Sequence, residues 1–427
     1  MAPRVVPDHI EVKRIKALLE EWIRRFPARL PGTPGCEEAG EAIEEAFRRA
    51  GVKAWRESFV CSPDAFMGYH VYVFLLYAVG VVFLAYGWSL AAGPCFLAAL
   101  AMDLGEFVLF LPVVDRLFPR KVCRNVIAEI PAAKEEHLVV YVCAHHDAAR
   151  ELPYLKRRQV LYPLKVLGGE AFTLGAALCA LGVGLGWWTL GPGWVVFFVL
   201  GIPFLFQRAT FVFRHGVPGA GDNLVACAML VELARLYARR PPQYLTLRLV
   251  SFDAEESGLR GSAAFVRRHR DELRGKAAVV LNIDSIYRRE DLQILVSDIN
   301  GLLPLSGELA SAVARWAEEE GVGLPVRRMT FGGGGTDAAS FARAGIPAVS
   351  FIGIANRMIR RRLVYHTMAD LPPAVEDEAV RDLMRVLLVG LRRLDEEGYA
   401  VYKEGETVPK GGRDEGATRD RRGGVRG

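Results

Sequence analysis

Apolar positions recur at helical spacing near the start of the chain. Val12, Ile15, Leu18, Leu19, Trp22 and Ile23 alternate with charges, with Ile10 at the entry, and predict an amphipathic helix over residues 8–25. Breakers fill Arg29-Leu-Pro-Gly-Thr-Pro-Gly35. A second amphipathic helix is expected over 36–50, stopped by Gly51, and a strand over 52–60. The pattern then changes. Ala65–Met102 and Ala171–Gln207 contain no Asp, Glu, Lys or Arg. About 20 apolar residues cross a bilayer core. The first stretch predicts spans at 67–88 and 91–114 around a turn at Ser89–Pro94, the second spans at 167–187 and 194–210 around Gly191-Pro-Gly193.

Outside these stretches the pattern is that of an α/β protein. Strands are expected at 120–130, 138–143, 245–252, 277–283 and 348–352. Helices are expected at 224–238, 262–269, 305–320, 336–343 and 375–396. The predicted fold class is α/β, a mostly parallel mixed sheet flanked by helices, with two inserted transmembrane helical hairpins. Each hairpin returns the chain to the side it left, so the soluble segments can form one body.

The predicted span at 91–114 carries Asp103 and Glu106, three residues apart on one face. Acids in such a position face a bundle or cavity, find a partner, or sit near one interface. The hairpin turns carry no charge. The opposite flanks hold Arg116, Arg120, Lys121, Arg124, Lys156, Arg157, Arg158, Lys165, Arg208 and Arg214. Positive-inside bias places the soluble body in the cytoplasm. The first 29 residues lack the apolar core of a signal peptide.

Composition sharpens this reading. Hydrophobic residues make up 51% and mean hydropathy is +0.18, an excess confined to the two stretches. Net charge is +5, spread over short isolated Arg pairs without interleaved aromatics, so no nucleic-acid partner is expected. Seven cysteines without a Cys-x-x-Cys pair suit buried reduced thiols.

Candidate chemistry gathers at strand ends. His145 and Asp147 follow the strand at 138–143, and Glu255 and Glu256 follow the one at 245–252. Asp284 ends the strand at 277–283; Asp222 opens a helix; His366 lies in a loop after 348–352. Ligands collect at the carboxyl ends of strands in open α/β sheets. Imidazole nitrogens and carboxylate oxygens suit divalent cations, and a carboxylate that is not a ligand can take a proton from water.

Read together, these segments resemble the zinc aminopeptidases of peptidase family M28. The matching pieces are Cys-Ala-His-His-Asp147, Gly221-Asp-Asn223, Phe-Asp-Ala-Glu-Glu-Ser-Gly-Leu-Arg-Gly-Ser262, Leu-Asn-Ile-Asp-Ser285, Gly335-Thr-Asp-Ala-Ala-Ser-Phe341 and Tyr-His-Thr367. Arg29-Leu-Pro-Gly32 and Arg124-Asn-Val-Ile-Ala-Glu129 are similar to the family's N-terminal pattern. The resemblance implies two Zn²⁺, with Co²⁺ or Mn²⁺ as alternatives. His145 and Asp284 would hold one ion, Glu256 and His366 the other, and Asp222 would bridge. Glu255 would be the general base, Asp147 would orient His145, and Tyr365 would face the developing oxyanion. The substrate would be a peptide with a free N-terminus.

The implied organisation is a peptidase body in three pieces, 1–65, 116–166 and 211–400. Hairpins at 66–115 and 167–210 interrupt it, and a disordered basic tail follows at 401–427. Two departures stand out. Ala338 follows Asp337 where many relatives carry His, and the second hairpin lengthens the connection from His145 to Asp222. That insertion suggests a cleft facing the bilayer. The alternatives are a one-zinc glutaminyl cyclase-like enzyme and a non-catalytic membrane scaffold or transporter accessory.

Overall fold

The structure, a computed structural model, describes residues 11–152, 162–209, 214–354 and 363–403, with side chains for 11–152, 167–206, 214–354 and 363–396. Ile10, Lys156, Arg157, Arg158 and most of the expected basic tail lie outside the described residues, as do the side chains of Lys165 and Arg208.

One eight-stranded sheet organises the body. Its strands are Lys53–Cys61 (β1), Lys121–Ile130 (β2), Leu138–His145 (β3), Leu245–Phe252 (β4), Ala278–Ile286 (β5), Gln293–Leu295 (β6), Val326–Arg327 (β9) and Ala348–Gly353 (β10). Ser297–Asp298 (β7) and Leu303–Pro304 (β8) make a separate small ladder. The large sheet runs β1-β2-β4-β3-β5-β10-β6-β9. The pairs β4–β3, β3–β5 and β5–β10 are parallel, whereas β1–β2, β2–β4 and β10–β6 are antiparallel. β3 and β5 are buried at every position, as expected for strands covered on both faces. All three soluble segments contribute strands to this one sheet.

Helices cover both faces. Val12–Arg25 (α1), Pro34–Arg49 (α2), Val225–Arg239 and Asp377–Lys403 share a core with alternate residues of β2–β5. Tyr141, Phe252, Phe265 and Phe341 fill the opposite face. The apolar stripe of α1 (Val12, Ile15, Leu19, Trp22, Ile23) is buried. The final helix reaches Lys403, two residues past the start expected for the tail.

The two charge-free stretches form four apolar helices: Ala65–Ala85 (α3), Ser89–Met102 (α4), Tyr162–Gly184 (α5) and Pro192–Ala209 (α6). Three helical stretches, Ala65–Ala85, Ser89–Val108 and Leu167–Gly184, are long and apolar enough to cross a membrane. The fourth, Pro192–Phe206 in its described part, is shorter. They pack on one another through Tyr77, Phe96, Ala176 and Phe198, while Leu75, Val82, Leu97, Leu178 and Val196 are exposed. Among the described residues they thus leave a large apolar surface exposed.

Several boundaries differ from expectation. The first hairpin turns at Tyr86–Trp88, not Ser89–Pro94; Pro94 lies inside α4. The Cys95 thiol, at 3.5 Å from the Ala91 carbonyl oxygen, supplies a donor in that turn. Regular α-helix ends at Met102, and a π-turn covers Asp103–Val108. Residues 109–114 are irregular, so the helix does not run to 114. At the second hairpin Pro192 opens α6 instead of forming the turn, since proline suits a first helical position. The short strands β6 and β9 were not expected, because two or three residues carry no readable alternation.

Candidate metal centre

The expected site residues converge at the carboxyl edge of the parallel strands. β3 ends at His145, and β5 carries Asp284 near its end. The turn after β4 carries Glu255 and Glu256. Asp222 sits in the turn entering the helix Val225–Arg239. His366 lies in the turn at 365–366.

Asp222 stands at the middle. Its Oδ1 lies 3.3 Å from His145 Nε2 and its Oδ2 3.0 Å from His366 Nε2. Glu256 Oε2 is 3.2 Å from the same His366 nitrogen, and Glu255 Oε2 is 3.9 Å from His145 Nε2. Three overlapping groups have ligand atoms close enough to share an ion: His145–Asp222–Asp284, His145–Glu255–Glu256 and Asp222–Glu256–His366. All are buried except the half-buried Glu256.

The electrostatics of this cluster ask for positive charge. Both ring nitrogens of His145, Asp222 Oδ2, Glu256 Oε1 and His366 Nε2 are buried without a hydrogen-bond partner in the protein. Such atoms are costly unless something else satisfies them. Burial, reinforced by neighbouring Asp222, pushes the Glu256 and Asp284 carboxyls up to about 7. Glu255 is also raised, by burial first and then by Asp284 and Glu256. At His366 burial opposes the cation, but Glu256 and Asp222 outweigh it and raise the imidazole to about 10. The donor set of carboxylate oxygens and imidazole nitrogens fits divalent zinc.

Supporting residues fix the geometry. Asp147 lies 3.4 Å from His145 Nδ1 and accepts hydrogen bonds from the amides of Glu255 (3.2 Å) and Glu256 (3.0 Å). One carboxylate thus sets both the histidine and the glutamate turn. Tyr365 stacks on His366 with ring centroids 3.7 Å apart. Its phenol is raised by burial and by the charges of Asp222 and Glu256.

Four further residues had no assigned role in the sequence reading. Asp370 accepts from the Gly221 amide (2.8 Å), the Asp222 amide (3.3 Å) and the Tyr287 hydroxyl (2.8 Å). A Cβ at Gly221 would come 2.2 Å from the Tyr287 ring, so only glycine allows this close approach. Ser285 Oγ donates to Asp284 (2.7 Å) and Asp222 (3.3 Å). The buried Arg29 guanidinium donates to the carbonyls of Phe26, His146, Pro218 and Gly219, bracing the segments beside His145 and Asp222. Asp337, buried with both oxygens unpartnered, adds negative charge toward Glu255. Ser285, Arg29 and Asp337 had a signal, their place in the family-like segments; Asp370 had none. Behind the centre lies a second buried trio, Cys36, His146 and Asp253. Its atoms are engaged: Cys36 with Asp253 (3.3 Å), His146 with Ser251 (2.9 Å), and Asp253 with the Arg124 amide (2.9 Å).

An α/β body with this acidic, histidine-bearing centre defines a candidate metallohydrolase. Residues 207–390 match the family model described as peptidase family M28. The stretch holds Asp222, Glu255, Glu256, Asp284, Tyr365 and His366. His145 and Asp147 precede it and join by geometry.

Aminopeptidase YwaD of Bacillus subtilis (strain 168) is 28% identical over 137 residues, 32% of this chain and 29% of its own. A probable glutamate carboxypeptidase of Arabidopsis thaliana is 29% identical over 165 residues, 36% of this chain and 23% of its own. The chain thus spans about a quarter of the length of these curated relatives. Among solved structures, a glutaminyl cyclase from an Acidobacteriales bacterium superposes with TM-score 0.56 at 15% identity, covering 93% of this chain and 99% of that one. A zinc aminopeptidase from Bacillus subtilis superposes with TM-score 0.54 at 14% identity, covering 91% and 96%. These identities establish a shared fold.

Proposed function

We propose that the chain is a membrane-anchored di-zinc aminopeptidase that removes N-terminal residues from peptides. The observation that carries this reading is Asp222, whose two oxygens each face a different histidine. His145 and Asp284 would hold one ion and Glu256 and His366 the other, with Asp222 between them. Co²⁺ or Mn²⁺ would suit the same donors. Bound there, such ions supply Lewis acidity toward a carbonyl oxygen and make water acidic near neutral pH.

The chain's own residues do the rest. Glu255, raised by its surroundings, takes the proton of the attacking water. The water oxygen bonds to the scissile carbonyl carbon, the C–N bond breaks, and Glu255 returns the proton to the leaving amine. Tyr365 donates toward the oxyanion that develops. Asp147 holds His145 and the Glu255–Glu256 turn in place throughout.

The four apolar helices would cross the bilayer, with the peptidase body on the cytoplasmic side. The exposed Arg116, Arg120 and Arg214 flank the hairpins on the side of the body and support that orientation.

The test is Glu255→Gln in the full chain. Metal content should remain at two ions, while hydrolysis of aminoacyl reporters should fall about 10²–10⁴-fold. Unchanged turnover would remove Glu255 from the mechanism. A second reading is a one-zinc glutaminyl cyclase-like enzyme, favoured by Asp222, Glu256 and His366 forming a complete trio without His145. One ion per chain and cyclisation of N-terminal glutaminyl peptides would select it.

A further inference from the structure

The first hairpin is rooted in the wall of the candidate centre. The cavity beside Glu256 and His366 is also lined by Pro63, Asp64 and Met67, at the start of the first hairpin, and by Leu152. The Leu152 amide donates to the His366 carbonyl (3.0 Å). Residues 149–151 and 215–217 lie side by side: the Glu151 amide bonds the His215 carbonyl (3.2 Å), and the Val217 amide bonds the Ala149 carbonyl (2.9 Å). Met67 is the third residue of α3, which contains no Asp, Glu, Lys or Arg from Ala65 to Ala85. The cavity therefore lies within about one helical turn, about 5 Å, of a charge-free span.

This spacing is fixed. Arg260, four residues after Glu256, donates to Glu106 and Asp115, both at 2.9 Å. The ring of Phe66 fills the space against Gly258, where an added Cβ would lie 2.8 Å away. Asn300 donates to the carbonyls of Phe107 (2.7 Å) and Val108 (3.2 Å). Arg343 donates to those of Leu109 and Phe110. The end of the first hairpin is thus bolted to the turn that carries both glutamates. Around this stem, Leu111, Val113, Leu302 and Phe331 expose 40%, 53%, 53% and 64% of their surface. Arg116 and Arg120, also exposed, would meet lipid phosphates.

We infer that the cleft opens in the bilayer interface and takes the N-termini of polypeptides held in that same bilayer. The inference rests on the peptidase reading and names its substrate class. An N-terminus emerging at the membrane reaches the cavity without a long spacer, while Leu302 and Phe331, exposed beside the stem, seat that side of the body among the headgroups.

The full chain is placed in vesicles of zwitterionic and anionic phospholipid. One aminoacyl peptide is supplied free, or joined to a transmembrane helix through linkers of about 3, 8 or 15 residues, which extend roughly 10, 28 and 50 Å. The shortest linker should be cleaved fastest, about tenfold faster than the longest, since effective concentration falls as the −3/2 power of length. Cleavage of the free and long-linker peptides with none of the short one overturns the inference, and so do equal rates throughout. Failure on every peptide, free included, would instead strike the peptidase reading. The depth of the body beside the stem is then decided by Leu302→Cys carrying a nitroxide, with Cys95→Ala. Stronger collision with oxygen than with a water-soluble nickel chelate supports seating in the interface, and the reverse overturns it.

Discussion

Arg260, Glu106 and Asp115 give the sharpest quantitative test of how the hairpin is joined to the body. Arg260 and Glu106 expose 6% and 0% of their side chains, and Asp115 exposes 24%. Glu106 spends its second oxygen on the Val114 amide, 2.9 Å away. Arg260→Met would leave a buried carboxylate uncompensated, which costs about 3–5 kcal/mol. Glu106→Gln is milder, about 1–3 kcal/mol, because its oxygen still accepts from Val114 and Asp115 still pairs with Arg260. In the double variant no charge is stranded at position 106, so it should be more stable than Arg260→Met alone, by about 1–2 kcal/mol. With an unfolding entropy of about 2.1 cal/mol/K per residue, roughly 400 residues convert 3–5 kcal/mol to about 4–6 °C in Tm. Thermal unfolding of the detergent-solubilised full chain, followed by intrinsic fluorescence, measures all four members of the cycle. A Tm for Arg260→Met within about 1 °C of the parent, or a double variant less stable than that single one, would refute the buried-pair argument.

Other predictions concern the centre and the sheet edge. Removing divalent ions with a chelator should abolish hydrolysis and lower Tm, because bound cations stabilise only the folded state; zinc should restore both, and an unchanged Tm would count against a built metal centre. Asp370→Asn should weaken metal affinity about 10–100-fold, since its carboxylate holds the backbone at Gly221 and Asp222; equilibrium titration with a competing chelator reads this directly, and an unchanged affinity would count against that role. Glu57 supplies a pH test. Burial opposes its charge, but hydrogen bonds from His269 (2.9 Å), Trp55 (3.1 Å) and Arg268 (3.3 Å) bring the carboxyl from 4.5 down to about 2. A depressed carboxyl stabilises the fold above pH 4.5, and the stabilisation is lost as pH falls toward 2. Discounted for solvent screening at this partly buried site, it is on the order of 1–2 kcal/mol. The Tm gap between parent and Glu57→Gln should therefore be constant at neutral pH and close between pH 4.5 and 2; a gap that widens on acidification would contradict the assignment.

The sequence alone determined the α/β pattern, because buried parallel strands such as Leu138–His145 read as unbroken apolar runs. It marked the two insertions, since long stretches without charge are rare in a soluble core. The candidate site residues stood out through local context: each sits in a short segment with its own turn chemistry, so spacing and residue type survive in the linear chain. What the chain could not show is how those segments meet. That Asp222 divides its two oxygens between His145 and His366, that Asp147 serves a histidine and two backbone amides together, and that Asp370 and Arg29 brace the segments beside His145 and Asp222 are all decided by long-range packing. The meaning of Glu106 was likewise hidden, because its partner Arg260 lies 154 residues away. Local periodicity fixes elements, but contacts between distant loops have no local signal. The sheet brings those loops to one edge, and only there do charge, burial and distance acquire chemical meaning.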